Sequence, residues 1–396
     1  MDSKLAAKLR AWWSHRQALD GRLEGAAPAQ VLAETGWARS IGGVGPYLTL
    51  AARAGTTREA ADAAAAALEI YELPAARNCT YVVPATDFAL ALTCGEGFNS
   101  DIKTVGKLGV PEKEIRTLCD TVVKLLGKGP LEPDALREAA GPAVRNLGDE
   151  GKKKGVTTTL PVALGLLQTE GEIRRVATNG RFDQQRYSYA LWRPNPRAGR
   201  KLTAEEALTE LARRYFRWIG PASVAEFQGF SAKTGKACKA AIEPLGLVPL
   251  APGEDRLLFP DDLEKLHAFQ APKQAHYRLI SSIDGIALLR RDLKSIVDPA
   301  DMERMVTRER ATGELTELPS HAIVDRGRVV GIWEYDPAAE SIAWLPFIPR
   351  NRELEKAVAA AEDYIRSNLG DARSFSLDSP KSRVPRLQAL RKAAGA

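Results

Sequence analysis

Four cysteines (Cys79, Cys94, Cys119, Cys238) and four histidines (His15, His267, His276, His321) are the residues best able to hold a metal or form a disulfide. Their spacing argues against both. No Cys-x-x-Cys or His-x-x-x-His pair occurs, whereas the ligands of one centre come in close, patterned spacing. The cysteines read as buried free thiols, and no metal is expected. The second chemistry open to the chain is phosphate binding. Positive charge gathers at Lys152, Lys153 and Lys154, at Arg174 and Arg175 with Arg181 and Arg186, at Arg197–Lys201, Arg213–Arg217, Lys233–Lys239, Arg290–Arg291 and Lys381–Lys392, within a net charge of +6. One such cluster also suits a solvated helix face. Recurrence around helix-turn segments points instead to a shared polyanionic partner.

The elements that position these charges are clearest between Pro111 and Arg193. Ile115, Leu118, Val122, Leu125 and Leu126 recur at helical intervals, and Gly127 and Gly129-Pro130 end the run. Asp134 starts a short second helix closed at Gly141. Thr157 or Thr158 starts a third, which carries Leu160, Val162, Leu164, Leu166 and Leu167 and stops at Gly171. Two alternating stretches follow, Glu172–Val176 and Tyr187–Trp192, with the turn signal Asn179-Gly180 between them. Three helices and a β-hairpin make the winged-helix plan, whose third helix enters a DNA groove; the same plan also serves protein–protein contacts.

A second copy opens with the Thr203-x-x-Glu206 capping pattern, and its Gly220-Pro221 echoes Gly129-Pro130. Its third helix, Lys233–Leu245, leads into one strand, Leu247–Leu250, so its wing is expected to be short or lost. A further copy is read in the first ~105 residues from helices at Ala29–Thr35, Tyr47–Ala54 and Thr57–Glu69 and a strand at Thr80–Val83. After Leu257 come short strands (Tyr277–Ser281, His321–Asp325, Val329–Tyr335, Ile342–Leu345), a helix at Glu353–Leu369, and a basic, proline-broken tail that is either a flexible DNA-backbone contact or a polar end. The expected fold class is mainly α with α+β: tandem winged-helix units at 1–110, 111–197 and 198–252, then a β-rich α+β module at 253–396.

Four segments carry a resemblance: Gly45-Pro46-Tyr47-Leu48-Thr49-Leu50-Ala51-Ala52-Arg53, Arg77-Asn78-Cys79-Thr80-Tyr81-Val82-Val83-Pro84-Ala85-Thr86-Asp87, Gly220–Phe227 and Asp325–Trp333. In this order they resemble the AlkZ/YcaQ-like family of bacterial DNA glycosylases. The resemblance implies tandem winged helices with a basic concave channel for duplex DNA. It also implies a monofunctional enzyme that removes bulky alkylated bases, or unhooks crosslinks, with a glutamine-activated water. Family members carry a Gln-apolar-Gln or Gln-apolar-Asp motif just before the Pro-Tyr-Leu helix. Here the interval Gly36–Gly45 holds no Gln, Asp or Glu, and a family position usually His is Tyr81.

Breaking an N-glycosidic bond builds positive charge at the sugar, so the site needs an acceptor that holds water and faces that charge. Within the interval the candidates are Arg39, which cannot accept, and Ser40, which accepts weakly. Asp87, Asp183, Gln184 and Gln185 are the nearest non-local acceptors, each also readable as an ordinary surface or strand-end group. Trp37 either stacks on a base or packs in a core. Gly43, in Gly42-Gly43-Val44-Gly45, fits a close backbone approach to DNA. With Lys152–Lys154, Thr157, Arg174, Arg175, Arg181 and Arg186, these two form the expected DNA-binding set. The readings are a repair glycosylase and a non-catalytic binder, a lesion sensor or transcriptional regulator. The expected partner is double-stranded DNA, met by a monomer in the cytoplasm at the nucleoid. No cofactor, leader segment or membrane span is expected; charges at Lys4, Lys8, Arg10 and Arg16 leave no uncharged run in what reads as an amphipathic N-terminal helix.

Overall fold

The computed structural model describes residues 3–96, 101–183, 186–199, 202–304, 306 and 310–395. An opening helix, α1 (Ser3–Arg16), is followed by one order of elements that occurs three times: helix, strand, two helices, hairpin. First come α2 (Pro28–Thr35), β1 (Ala38–Arg39), α3 (Gly45–Ala54), α4 (Arg58–Ala66), β2 (Ile70–Pro74) and β3 (Thr80–Pro84), with sheet order β1-β3-β2. Helices α5 (Phe88–Cys94) and α6 (Asp101–Lys107) lead to the second copy. It contains α7 (Glu112–Leu126), α8 (Pro133–Ala140), an inserted short α9 (Gly148–Lys153), α10 (Leu160–Thr169), β4 (Ile173–Ala177) and β5 (Tyr187–Leu191). Its first strand is reduced to one bridge, Leu131 to Tyr189. The third copy is α11 (Ala204–Ile219), β6 (Ala222–Ser223), α12 (Val224–Ser231), α13 (Gly235–Ile242), β7 (Val248–Pro249) and β8 (Arg256–Leu258), with order β6-β8-β7.

Local chemistry explains these elements. On α7 the buried residues Ile115, Leu118, Cys119, Val122 and Leu126 form one stripe. Capping boxes start α11 at Thr203/Glu206 and α12 at Ser223/Glu226, each satisfying two helix-end amides. After α14 (Pro260–Ala268), β9 (Tyr277–Ile280) and a short α15 (Gly285–Leu288), the strands β10 (His321–Asp325), β11 (Arg328–Asp336) and β12 (Ser341–Pro346) complete an antiparallel sheet in the order β12-β11-β10-β9. Arg326 and Gly327 join β10 to β11 with φ of 46° and 77°, as a two-residue hairpin of the primed type requires. A Cβ at Gly327 would lie 2.0 Å from the Arg10 carbonyl oxygen, so α1 fits only against glycine. Helices α16 (Arg352–Tyr364) and α17 (Pro380–Ala393) finish the chain.

The third copy ends in a short hairpin, β7–β8, that runs past residue 252. That hairpin hides in the sequence because its strands are two and three residues long. The basic tail is the helix α17, not a loose segment: Arg383 is buried against Asp371, Arg386 reaches Glu334 and Asp378, and Arg391 reaches Asp336. Its cations neutralise the protein's own carboxylates. The Asn179-Gly180 turn begins a longer loop whose tip docks inward, since the Phe182 amide donates to the Tyr47 hydroxyl at 2.9 Å and Arg181 donates to the Leu369 carbonyl at 3.2 Å.

The second copy has its own core around Ile115, Leu136, Leu160 and Tyr189. The first and third copies instead share cores with the C-terminal part. One buried knot joins them. Arg53 of α3 donates to both carboxylate oxygens of Asp284 at 2.7 and 2.8 Å, with side chains 1% and 0% exposed. Arg53 also donates to the Gln17 amide oxygen at 2.9 Å, and the Gln17 amide nitrogen donates to the carbonyls of Thr35 and Trp218. Removing one partner of a buried, bidentate pair strands the other charge. Arg53→Met should therefore lower the urea-unfolding free energy by about 3–5 kcal/mol, and Arg53→Met with Asp284→Leu should recover part of it; a single variant as stable as the parent would contradict this.

Candidate functional site

The first copy's sheet separates two sites. Ala38 pairs with Val82 and Arg39 with Tyr81, while Glu72 and Leu73 of β2 pair with the same two residues of β3. Successive side chains on a strand point to opposite faces. Arg39, Tyr81 and Leu73 therefore share one face, and Ala38, Val82 and Glu72, followed by Ser40, share the other. The two neighbouring candidates of the family interval are thus placed apart.

On the Ser40 face, the Ser40 hydroxyl donates to the Glu72 carboxylate. Burial pushes the Glu72 carboxyl above its ordinary range, with Ser40 and the Arg175 guanidinium pulling it partly back. A cavity of about 420 Å³ opens over Glu72, Pro74 and Thr80 and is closed by Thr157 and Thr158 before α10 and by Arg175, Tyr187 and Tyr189 of the β4–β5 hairpin. That volume lies in the range of about 300–1,000 Å³ occupied by small-molecule sites. Arg175 lies 4.7 Å over the Tyr187 ring and keeps a buried Nε without a partner among the described residues.

On the Arg39 face, the guanidinium lies 5.3 Å from the Tyr81 ring centroid. Burial lowers the Arg39 pKa; Tyr81 offsets this and Arg77 adds to it. A cavity of about 230 Å³ holds Arg39, Arg77, Tyr81, Arg291 and Glu317. The carboxylate in this cavity is Glu317, already paired with Arg291.

Several other sequence candidates have partners within the fold. Trp37 is 2% exposed, so it is not available to stack on a base; its ring packs on Tyr81 and Trp218. Its indole donates to Asp87 at 2.8 Å, and Arg214 donates to the other Asp87 oxygen at 2.9 Å. Asp183 is buried against Arg181. A Cβ at Gly43 would lie 2.4 Å from the Ser374 carbonyl oxygen, so its close approach is to the chain's own backbone. Gln184 and Gln185 lie outside the described residues. Lys152, Lys153, Lys154 and Arg186 are exposed; Lys152 and Lys153 pair with Asp149 and Glu150 on α9. Arg174 donates to the Tyr71 hydroxyl at 3.0 Å.

Sequence reading missed Glu72, Arg77 and Glu317 as site residues, and it singled out Arg291 only within the basic pair Arg290–Arg291. For Glu72 a signal existed, a carboxylate inside the β-prone run Ile70-Tyr71-Glu72-Leu73, but this run falls between the expected helix Thr57–Glu69 and the expected strand Thr80–Val83, and no strand is read there. Among the described residues no group of His, Cys, Asp and Glu could hold a metal, and no helix is long and apolar enough to cross a membrane.

The sequence pattern of the family described as DNA glycosylase AlkZ-like matches residues 44–366. The chain belongs to the AlkZ-like DNA glycosylase family. Membership favours a repair glycosylase over a transcriptional regulator. A solved structure, Streptomyces sahachiroi DNA glycosylase AlkZ, matches with a TM-score of 0.68 at 18% identity, covering 93% of this chain and 98% of that one. At that identity the likeness establishes a shared fold. No curated protein matches the chain in sequence. Within this AlkZ-like frame the strand just before the Pro-Tyr-Leu helix is β1, and it offers a tryptophan, an arginine and a serine where acceptors are expected.

Trp37 is therefore predicted to act in stability and not in recognition. Trp37→Phe removes a buried hydrogen bond to a carboxylate and should cost about 1.5–3 kcal/mol in urea unfolding, with duplex affinity unchanged in a binding titration; weakened binding at unchanged stability would contradict this placement.

Proposed function

We propose that this AlkZ-like protein hydrolyses the N-glycosidic bond of alkylated or crosslinked bases in duplex DNA, with Glu72 as the acceptor that replaces the missing glutamine motif. The observation that carries this reading is the Glu72 carboxyl, held by Ser40 across the sheet from the family interval and opening into a cavity of about 420 Å³. The three repeats are read as winged helices, with α9, α10 and the β4–β5 hairpin against the duplex. Exposed Lys152, Lys153, Lys154 and Arg186 then meet phosphates, which position the duplex without reading sequence.

In the reaction the ionised Glu72 accepts a proton from water while the water oxygen bonds to C1′. The C1′–N bond breaks, and its electron pair leaves with the base, which for an N7- or N3-alkylated purine departs neutral. The same carboxylate faces the positive charge that builds on the sugar. Ser40 is a positioning residue that fixes the carboxylate. Tyr187, half-buried on the cavity wall, supplies aromatic surface for an extruded base.

The test is single-turnover base release from a duplex carrying an N7-alkylated guanine, read by alkaline cleavage of abasic sites. Glu72→Met should slow release by about 10²–10⁴-fold and leave duplex affinity in place. A rate kept in Glu72→Met and lost in Glu317→Gln would move the acceptor to Glu317. No release by the parent on any alkylated duplex, with salt-dependent binding intact, would leave a non-catalytic binder.

A further inference from the structure

We infer that the cavity on the Arg39 face is an oxyanion site that takes one phosphodiester of the bound DNA. This rests on the duplex-binding reading above, though not on Glu72. Three guanidiniums, Arg39, Arg77 and Arg291, line it against one carboxylate, Glu317, so positive charge is in excess. Like charges brought together under burial repel, and such a cluster persists when an anion completes it. Arg39 Nη1 is buried without a hydrogen-bond partner among the described residues, which leaves a donor for that anion.

The backbone supports the same assignment. Arg77 and Arg291 both adopt left-handed φ, 58° and 53°. Residues with a Cβ pay for that conformation, and such outliers gather at ligand sites. Both side chains are also fixed. Arg77 donates to the Gly229 carbonyl at 2.7 Å, and Arg291 pairs with Glu317. The Tyr81 phenol, on the cavity wall, is a further donor. Size separates the ligands: about 230 Å³ is below the usual small-molecule range yet ample for one tetrahedral oxyanion. The walls come from the first sheet, from Gly229 and Phe230 at the end of α12, and from the C-terminal part through Ile283 and Arg291. The site therefore exists only when the knot of Arg53 and Asp284 holds these parts in register.

The experiment is the salt dependence of duplex affinity for the full chain and for Arg39→Met, Arg291→Met and Arg39→Lys, each checked for an unchanged unfolding midpoint. Arg39→Met and Arg291→Met should each weaken binding and flatten the log–log slope by up to about 0.9, the value for one phosphate contact. Arg39→Lys should keep most of the slope. An unchanged slope in both methionine variants, with the parent slope steep, overturns this site and leaves the duplex reading standing. A flat parent slope overturns both. Inorganic phosphate is the second probe: if it raises the midpoint of the parent and not of Arg39→Met while duplex slopes stay equal, the site takes a free anion and the phosphodiester assignment is wrong.

Discussion

The bidentate pair of Arg53 and Asp284 is the interaction on which the arrangement depends. Both side chains are almost fully removed from water, where either charge alone would be strongly unfavourable. Gln17 completes the set by accepting from Arg53 and donating to carbonyls of α2 and α11. Five elements meet at this point: the end of α1, helices α2, α3 and α11, and the segment before α15. A Cβ on the adjacent Gly285 would lie 2.7 Å from the Gln17 amide oxygen, so the knot tolerates no bulk there. Polar partners of this kind specify one docking geometry where apolar packing alone allows several.

That geometry gives the first sheet its two faces. One looks toward the second repeat and carries Glu72 with Ser40; the other looks toward the third repeat and the C-terminal part and carries Arg39. A single residue step along β1 moves a side chain from a carboxylate-bearing cavity to a cationic one. The resemblance to the AlkZ-like family puts acceptors just before the Pro-Tyr-Leu helix, and in this chain that strand holds Arg39 and is flanked by Trp37 and Ser40. In the proposed reaction the carboxylate comes instead from the neighbouring hairpin, with burial and the hydroxyl of Ser40 acting on it in opposite directions.

Much of the fold was legible. The stripe on α7, the Thr203/Glu206 box, strand β10 and the Arg326-Gly327 turn each follow from local spacing or turn chemistry. Strands of two or three residues, such as β1 and β7, have no periodicity to read, and their existence depends on partners distant in sequence. The tail misled because a stretch of Lys, Arg and Pro looks alike whether solvated or paired; only the fold shows that Arg383 meets Asp371. For the site, charge clusters identified cations but not their employment: Arg174 and Arg181 serve internal contacts. Glu72 meets Ser40 and Arg291 meets Glu317, on opposite faces of the first sheet, through tertiary structure that no local motif encodes.

The central claim is that a half-buried, titratable carboxylate at Glu72 drives base release, and pH tests it most directly. Burial raises the Glu72 pKa, and only the ionised form accepts a proton. The single-turnover rate should therefore climb with pH through a value above the ordinary glutamate range and then level off, and Glu72→Gln, which can hold water but cannot titrate, should flatten that rise. A rise of the same midpoint in Glu72→Gln would show that another group titrates and would contradict the account.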